Sequence, residues 1–244
     1  MTSSLRHELQ VSPSENRVVQ LTLENTGDAS ATATIVQVDF LLDDQGDLIE
    51  QPLHALPTSN AAWLEVASQV EVPARSTIDV PVTLQVPRDA ERGSYWSMLM
   101  VQPVGTTVEQ ERVEEGVRTS VTVSFRFGVT LITHVGQPAE QNLLFRDPGL
   151  THDEATGTHT FSVTIDNPSH FLASTEAWLE LYDAQGNMVS EVQAGSLRIY
   201  PGMRRRHTFD VGTLDEQAYQ AVIIVDAGRD DVFGVRYDLD LGSQ

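Results

Sequence analysis

The sequence contains no cysteine and no lysine. Without cysteine the protein has no disulfide bonds, no thiol catalysis and no cysteine-ligated metal site. Cysteine-free chains occur in oxidising and reducing compartments alike, so this absence does not decide where the protein works. With no lysine, the 15 basic residues are all arginine, and 35 acidic residues bring the formal net charge to −20. Such a surface repels nucleic-acid phosphates and anionic lipids, and we expect neither as a partner.

Long apolar runs are also missing. No stretch approaches the roughly 18 apolar residues that indicate a membrane-spanning helix. The first residues, Met1–His7, lack the apolar core of a signal peptide. Either the native protein is cytosolic, or its signal peptide has been removed from this chain.

The acidic residues are scattered along the chain rather than gathered in blocks. We therefore interpret the acidity as a means of keeping the protein soluble, in a saline habitat where salt screens the repulsion between its carboxylates. The alternative is that the acidic residues attract cations or a basic partner. The one basic cluster, Arg204–Arg206, follows a Pro-Gly turn. We interpret it as the start of a strand, with its positive charges neutralised by the acidic surface. The alternative is a binding site for a carboxylate or phosphate.

Alternation of apolar and polar residues with a period of two recurs between Gly, Pro, Asn and Asp turns, and no segment shows a convincing helical period. Hydrophobic residues make up 40% of the 244 residues, enough to build packed cores. Because one immunoglobulin-like sandwich takes about 100 residues, the chain accommodates two. The sequence therefore predicts an all-β protein with two immunoglobulin-like antiparallel β-sandwich domains in tandem.

The two predicted domains are residues 1–136 and 137–244, divided where a long strand ends in Gly136-Gln-Pro138. Candidate strands of the first domain are Leu5–Val11, Arg17–Asn25, Ala31–Leu42, Trp63–Val66, Ser76–Val86, Gly93–Gln102 and Thr119–Val135. Those of the second are Asn142–Arg146, His159–Asn167, Thr175–Tyr182, Met188–Gln193, Arg204–Val211, Tyr219–Asp226 and Val232–Leu241.

The two halves contain a similar unit. In each, a strand ends at an Asn turn, and a second strand runs to an Asp-x-Gln-Gly hairpin. The turn residues are Asn25 and Asn167, and the hairpins begin at Asp43 and Asp183. One unit used twice is expected of two related sandwiches.

No motif of an enzyme or a cofactor site is present, so we expect a non-catalytic protein without cofactor or metal. The seven histidines are scattered, and the nearest pair, His152 and His159, is better interpreted as surface or packing residues than as metal ligands. The acidic turns Asp43–Asp47 and Asp226–Asp231 could offer oxygens to Ca²⁺, but neither has the spacing of an EF-hand loop. Both are interpreted as ordinary turns.

Three methionine and tryptophan residues share one face of a predicted strand: Trp96, Met98 and Met100. A copper site with thioether ligands is possible there, but a central strand buried on both faces is favoured. Trp63 and Trp178 are likewise interpreted as sandwich core rather than as sugar-binding platforms.

The segment Val121–Leu131 is the candidate binding element. Its alternating side chains give one apolar face about 40 Å long if fully extended, so the strand either crosses between domains or breaks at Gly128. Before it lies a polar, Glu-rich segment, Val104–Arg118, interpreted as a mobile loop. The predicted partner-binding residues are Val121, Val123, Phe125, Arg126, Phe127, Val129 and Leu131. Two interpretations carry equal weight: the face fills the core of the first domain, or it is presented to a partner.

Together, the strand Gly93–Gln102, the loop Val104–Arg118, the strand Val121–Leu131 and the opening Ser12-Pro13 with Val18–Asn25 resemble the periplasmic pilus-assembly chaperones, the PapD-like group. The resemblance implies two angled immunoglobulin-like domains and a strand lent to a pilin subunit. It also implies a basic pair for the subunit's terminal carboxylate, for which Arg126 with Arg6 or Arg17 is the candidate.

We therefore expect a periplasmic or cell-surface protein, with its signal peptide removed, that assists assembly of pilus or surface subunits by pairing an edge strand with a partner. The alternative is an adhesion module that binds cell wall or a host ligand through loops. The segments Ala62–Val66 and Val86–Tyr95 resemble tandem immunoglobulin-like surface proteins of bacteria. An enzyme or metal carrier is a distant third hypothesis.

Overall fold

Strands form where β-branched and large apolar residues alternate with polar ones, because such segments bury one face of a pleated sheet. The structure is a computed structural model that describes residues 5–105, 107–114, 117–137, 141–215, 218–228 and 231–241, with the backbone alone at 107–114 and 117–124. Apart from one 3₁₀ turn, Ala61–Trp63, the regular elements in these ranges are strands. The predicted all-β, two-sandwich fold is confirmed.

The chain divides into two compact units. The first comprises residues 1–40 and 50–137, and the second residues 41–49 and 138–244. We predicted residues 41–49 to lie in the first domain, whereas they group with the second unit. Within that unit, the Arg206 backbone N–H donates to the Asp44 carbonyl oxygen at 2.8 Å.

The first unit contains two packed sheets and a separate hairpin. Its strands are β1 (Arg6–Val11), β2 (Asn16–Asn25), β3 (Ala31–Leu42), β4 (Leu48–Gln51), β5 (Leu64–Glu65), β6 (Gln69–Val72), β7 (Ser76–Gln85), β8 (Gly93–Pro103), β9 (Thr107–Glu114), β10 (Val117–Ser124) and β11 (Phe127–Val135). The last two residues of β3 and the first two of β4 fall within the range 41–49 that groups with the second unit. One sheet has the order β1-β11-β8-β3-β4 with β6 paired to β3, the second β2-β7-β5, and β9 pairs only with β10 among the described strands.

The core of the first unit lies between these two sheets. Leu21, Val82 and Leu84 from the smaller sheet meet Leu99 and Leu131 from the larger one, each at most 1% exposed. The opposite face of β8 is covered as well, since Trp96 and Met98 are 1% and 6% exposed. The interpretation of this strand as buried on both faces is therefore confirmed.

The second unit is a sandwich of three and four strands. Its strands are β12 (Leu144–Asp153), β13 (Thr158–Asp166), β14 (Ala173–Asp183), β15 (Met188–Ile199), β16 (Arg204–Gly212), β17 (Ala218–Asp226) and β18 (Val232–Asp240). The sheet orders are β12-β13-β16 and β15-β14-β17-β18. Phe161, Phe209, Leu179 and Ile223 fill the space between them.

Trp178 does not belong to this core. Its neighbours Ala177 and Leu179 are fully buried against the other sheet, whereas Trp178 lies on the opposite, outer face of β14 and is partly exposed. The interpretation of Trp178 as core was wrong, because β14 places alternate residues on opposite faces. Trp63 does pack against the core of the first unit, with its ring 4.4 Å from that of Tyr95.

The repeated sequence unit has the same hydrogen bonds in both halves. Asn25 and Asn167 each donate from Nδ2 to the carbonyl oxygen four residues ahead, at 2.9 and 2.8 Å. Each also donates to the carbonyl of a distant residue, Val72 at 3.0 Å or Ile199 at 2.7 Å. The side chain thereby satisfies the backbone carbonyls that the chain leaves unpaired where it turns.

The two hairpins are also alike. The Oδ1 atoms of Asp43 and Asp183 accept backbone N–H groups from the residues two and four positions ahead. Gly46 and Gly186 close the turns with φ of 97° and 82°, in the left-handed region that favours glycine. The carboxylates therefore organise their own loops, as expected of ordinary turns.

Candidate partner-binding edge

Strand β11 lies between β8 on one side and β1 on the other. Its antiparallel pairing with β8 runs along the whole strand, from Phe127 opposite Val101 to Val135 opposite Gly93. The pairing with β1 is parallel and shorter, and begins with Arg6 opposite Thr130. This parallel pair departs from the antiparallel arrangement that the sequence predicts.

At the start of β11, Phe127 and Gly128 have no paired strand among the described residues on the side that β1 occupies further along. The Thr130 backbone N–H donates to the Leu5 carbonyl oxygen at 2.9 Å, and Leu5 is the first residue that the structure describes. A sheet edge of this kind presents unpaired N–H and C=O groups to which another strand can bind.

The chain before β11 is an antiparallel hairpin of β9 and β10, with Val117 opposite Glu114 and Ser124 opposite Thr107. The interpretation of Val104–Arg118 as a loop was wrong, because most of it belongs to these strands. In β10, valine and threonine at alternate positions favour extended structure, and the glutamate-rich β9 pairs with it along its whole length.

A break at Phe125 and Arg126 separates β10 from β11, and β11 continues without interruption through Gly128. The predicted break at Gly128 is therefore wrong. The glycine instead makes room for a neighbouring side chain, since a Cβ there would lie 2.5 Å from Met98 Sδ. Nothing in the residue types marks positions 125 and 126 as the break.

The structure places the seven predicted residues in three environments. Val129 and Leu131 are 0% and 1% exposed and lie in the core of the first unit. Phe127 is partly buried against the same core. Phe125 is 59% exposed, and Arg126 is also exposed. Val121 and Val123 lie in β10, for which only the backbone is described.

Arg126 has an ion-pair partner in the first unit. Its Nη2 atom lies 2.8 Å from Glu50 Oε1, and the two side chains are 48% and 37% exposed. Arg17 pairs with Glu15 at 2.6 Å. At such exposure an ion pair adds little stability, which leaves Arg126 exchangeable between carboxylates.

Beside Phe127, an apolar pocket of about 190 Å³ opens at the end of the sandwich. Leu23, Val72 and Val101 line it together with Phe127. This volume is enough for one aliphatic or aromatic side chain. The pocket was not predicted from the sequence because its walls come from five separate strands.

A buried polar cluster holds β11 behind the open edge. Asn60 is fully buried, and its Nδ2 atom donates to the Leu131 carbonyl at 3.2 Å and to Thr133 Oγ1 at 2.9 Å. Its Oδ1 atom accepts the Ser97 hydroxyl at 2.6 Å. Because removing such partners leaves buried polar groups unsatisfied, the cluster fixes β11 to β8.

His134 joins three strands. Its Nδ1 atom lies 2.7 Å from Ser94 Oγ on β8, and its Nε2 atom lies 2.8 Å from Glu8 Oε1 on β1. A serine, histidine and carboxylate in this order resemble a hydrolytic relay. Ser94 is only 1% exposed, however, so its hydroxyl cannot reach a substrate carbonyl. The contacts attach β1 to β11.

Over the described residues, no group of three or more His, Asp or Glu side chains is placed to hold a metal ion. His152 and His159 face each other across β12 and β13 with stacked rings 4.5 Å apart. The same part of the chain contains no helix with the length and hydrophobicity needed to span a bilayer.

Comparison with solved structures gives matches over nearly the whole chain. A chain of the chaperone–tip adhesin complex of CFA/I fimbriae aligns over 97% of both chains, with 10% identity and a TM-score of 0.51. The class 5 fimbriae chaperone CfaA aligns over 97% of both chains, with 12% identity and a TM-score of 0.50.

This chain has the fold of the fimbrial chaperones. The expected resemblance is thereby confirmed at the level of the fold. The E. coli chaperone DraB also aligns, over 98% of this chain and 96% of its own, at 11% identity and a TM-score of 0.44. No protein-family model and no curated protein matches the sequence.

Proposed function

We propose that the protein is a non-catalytic, extracytoplasmic chaperone that assists assembly of pilus or surface subunits by pairing an edge strand with the subunit. The observation that supports this proposal is the side of Phe127 and Gly128 with no paired strand among the described residues, next to the exposed Phe125 and the β9–β10 hairpin. Similar solved structures supply the precedent, since they are fimbrial chaperones, one of them in complex with a tip adhesin.

The chemistry of the edge fits strand addition. Unpaired main-chain groups on β11 can bind an extended segment whatever its sequence, and side-chain pockets then select among segments. The apolar pocket beside Phe127 can accept one such side chain, while Phe125 offers an exposed ring to the subunit. Val129 and Leu131 lie in the core in the free chain, and their role is to hold the edge in position.

Arg126 gives the edge a site for a carboxylate. Guanidinium groups bind carboxylates through paired hydrogen bonds, and Arg126 already binds one, Glu50, at a solvent-exposed position. A carboxylate of the subunit would replace Glu50 at little cost, because the existing pair is weakly stabilising.

The test is co-expression in a bacterial periplasm with a pilin-like subunit encoded beside this chain, followed by affinity purification. The wild-type protein should purify as an equimolar complex. The Phe125→Glu variant should lose the subunit, whereas Val18→Glu should retain it. The two positions are matched, because both side chains are 59% exposed.

Circular dichroism melts on the free variants separate binding from folding, and both variants should melt as the wild type does. Equal recovery of the subunit with Phe125→Glu and Val18→Glu would exclude this edge. A wild-type protein that never retains the subunit would refute the chaperone proposal as a whole.

A further inference from the structure

An open concavity of about 720 Å³ lies at one end of the outer face of the four-stranded sheet in the second unit, lined by residues of β14, β17, β18 and the hairpin after β14 but not by Trp178. Alternation along β14 places Trp178, Glu180 and Tyr182 on this face, away from the core. Strands β17 and β18 add Gln220 and Asp238, which stand in register with Tyr182. The edge-strand proposal uses none of these residues.

Two aromatic side chains, Trp178 and Tyr182, lie on the same face of β14. Trp178 and Tyr182 are four residues apart, which separates their Cα atoms by about 13 Å at the rise of an extended strand. Beside Trp178, the same cross-strand row contains Ile224 and then Gly234, which has no side chain. The row is therefore apolar, and Trp178 itself is partly exposed.

The polar groups between and beside the rings are already ordered. The Tyr182 hydroxyl donates to Glu180 Oε2 at 2.6 Å, and Gln220 Nε2 donates to Asp238 Oδ1 at 3.3 Å. The bond to Glu180 orients the Tyr182 hydroxyl and raises the pKa of Tyr182 above its usual value. Aromatic faces with a few fixed polar groups form a binding surface that costs little to order.

The chemistry of the lining selects the class of ligand. Four carboxylates border the concavity, from Glu180, Asp183, Asp238 and Asp240, and they outnumber the one arginine of the neighbouring row, Arg236, which stands in register with Val222 and Glu180. Phosphorylated, sulfated and uronic-acid ligands are repelled by these charges. A neutral sugar ring presents C–H groups that stack on aromatic faces and hydroxyl donors that carboxylates accept.

We propose that this face binds a neutral oligosaccharide, whose pyranose rings stack on Trp178 and Tyr182 while their hydroxyl groups bond to Glu180, Gln220 and Asp238. The site is independent of the edge on the first unit. A ligand laid along β14 contacts both rings at once, so a chain of at least three sugar units binds more tightly than a monosaccharide.

The first experiment is affinity gel electrophoresis of the full chain in gels containing hydroxyethylcellulose, galactomannan, laminarin or mannan, with heparin as the anionic control. At least one neutral polysaccharide should retard the wild type, and heparin should not. Trp178→Ala and Tyr182→Ala should each weaken retardation at least tenfold. Leu144→Ala should behave as the wild type, because that exposed apolar side chain lies on the other sheet.

A second measurement uses the unaltered protein. Its three tryptophans give three indole N–H signals in a ¹⁵N–¹H NMR spectrum, and the retarding oligosaccharide should shift that of Trp178 alone. The proposal is overturned if no neutral polysaccharide retards the wild type, or if the two alanine variants are retarded as strongly as the wild type. It is also overturned if octalysine shifts the Trp178 signal while the sugars do not, because the face then binds a basic peptide.

Discussion

Leu131 and Phe125 are close in sequence and opposite in environment. Leu131 is 1% exposed in the core of the first unit, whereas Phe125 is 59% exposed. Leu131→Ala should therefore lower the free energy of unfolding by about 3 kcal/mol, since it removes buried methyl groups and leaves a cavity. Phe125→Ala should change it by less than about 0.5 kcal/mol.

Urea titrations followed by circular dichroism measure both values. A similar loss of unfolding free energy in the two variants would mean that Phe125 is also packed in a core. It would contradict the assignment of Phe125 as an exposed residue of the candidate edge.

The buried His207 should make the free energy of unfolding depend on pH. It is 1% exposed, neither ring nitrogen has a hydrogen-bond partner among the described residues, and the ring lies near Phe209. Burial, and next the positive charge of Arg205, lower the pKa of His207 from 6.5 to about 4. The folded protein thus holds the neutral form, whereas the unfolded chain takes up a proton at the ordinary pKa.

Above pH 6.5, the titration of His207 should therefore leave the free energy of unfolding unchanged. Below it, the free energy of unfolding should fall as the pH drops from 6.5 towards 4. At about 1.4 kcal/mol for each pKa unit, the loss approaches about 3 kcal/mol. His207→Leu should remove this part of the pH dependence. Urea midpoints of both proteins at pH 7.5, 5.5 and 4.5 give the comparison, and a constant difference between them would show that His207 does not titrate in this range.

At the scale of elements, the turn asparagines are equivalent in bonding and unequal in burial. Asn167 is 1% exposed and serves two carbonyls, whereas Asn25 is more accessible to water. Asn167→Ala should cost about 2–4 kcal/mol because its partners stay buried and unsatisfied, and Asn25→Ala should cost about 1 kcal/mol.

Differential scanning calorimetry distinguishes these outcomes, since each substitution should lower the melting temperature of its own unit. Asn167→Asp is the sharper control. Aspartate keeps the size and the accepting oxygen but loses the N–H donor, so a stable Asn167→Asp variant would contradict the assigned role.

Much of the strand pattern could be predicted from local sequence. Strands β2, β3 and β13 fall within a few residues of their predicted bounds, because each has an apolar face that alternates with polar positions over most of its length. The four-residue β6 was missed, since its existence depends on pairing with β3 rather than on its own residues. Strand β9 was missed because its two valines, Val108 and Val113, do not alternate with its polar residues, whereas most of β10 falls within the predicted strand Thr119–Val135.

The candidate edge was only partly predictable for a related reason. Alternation marks one face of a strand for burial without identifying the core that buries it. Phe125, Val129 and Leu131 occupy alternate positions of one apolar pattern. Phe125 lies in the break between β10 and β11 and is exposed, whereas Val129 and Leu131 lie within β11 and are buried. The outward position of Trp178 was hidden similarly, because a tryptophan in a sandwich strand is more often core.

At the scale of the whole molecule, the charge of −20 sets the response to salt. Raising NaCl from about 0.1 to 1 M shortens the Debye length from about 10 to 3 Å, which screens repulsion among the carboxylates. The melting temperature at pH 7.5 should therefore rise across this range. The rise should be smaller at pH 4, where many carboxylates are protonated, and equal rises at both pH values would assign the effect to salt hydration instead.

The parallel pairing of β1 with β11 has a consequence for biosynthesis. Gln10 and His134, bonded across this pair, are 124 residues apart. At about 5–20 residues per second, a ribosome takes roughly 6–25 s to make the intervening chain, and during that time β1 lacks β11, its partner among the described strands. The first unit can therefore close only after its own last strand has been made. Pairing strands so far apart in sequence raises the contact order, which slows folding.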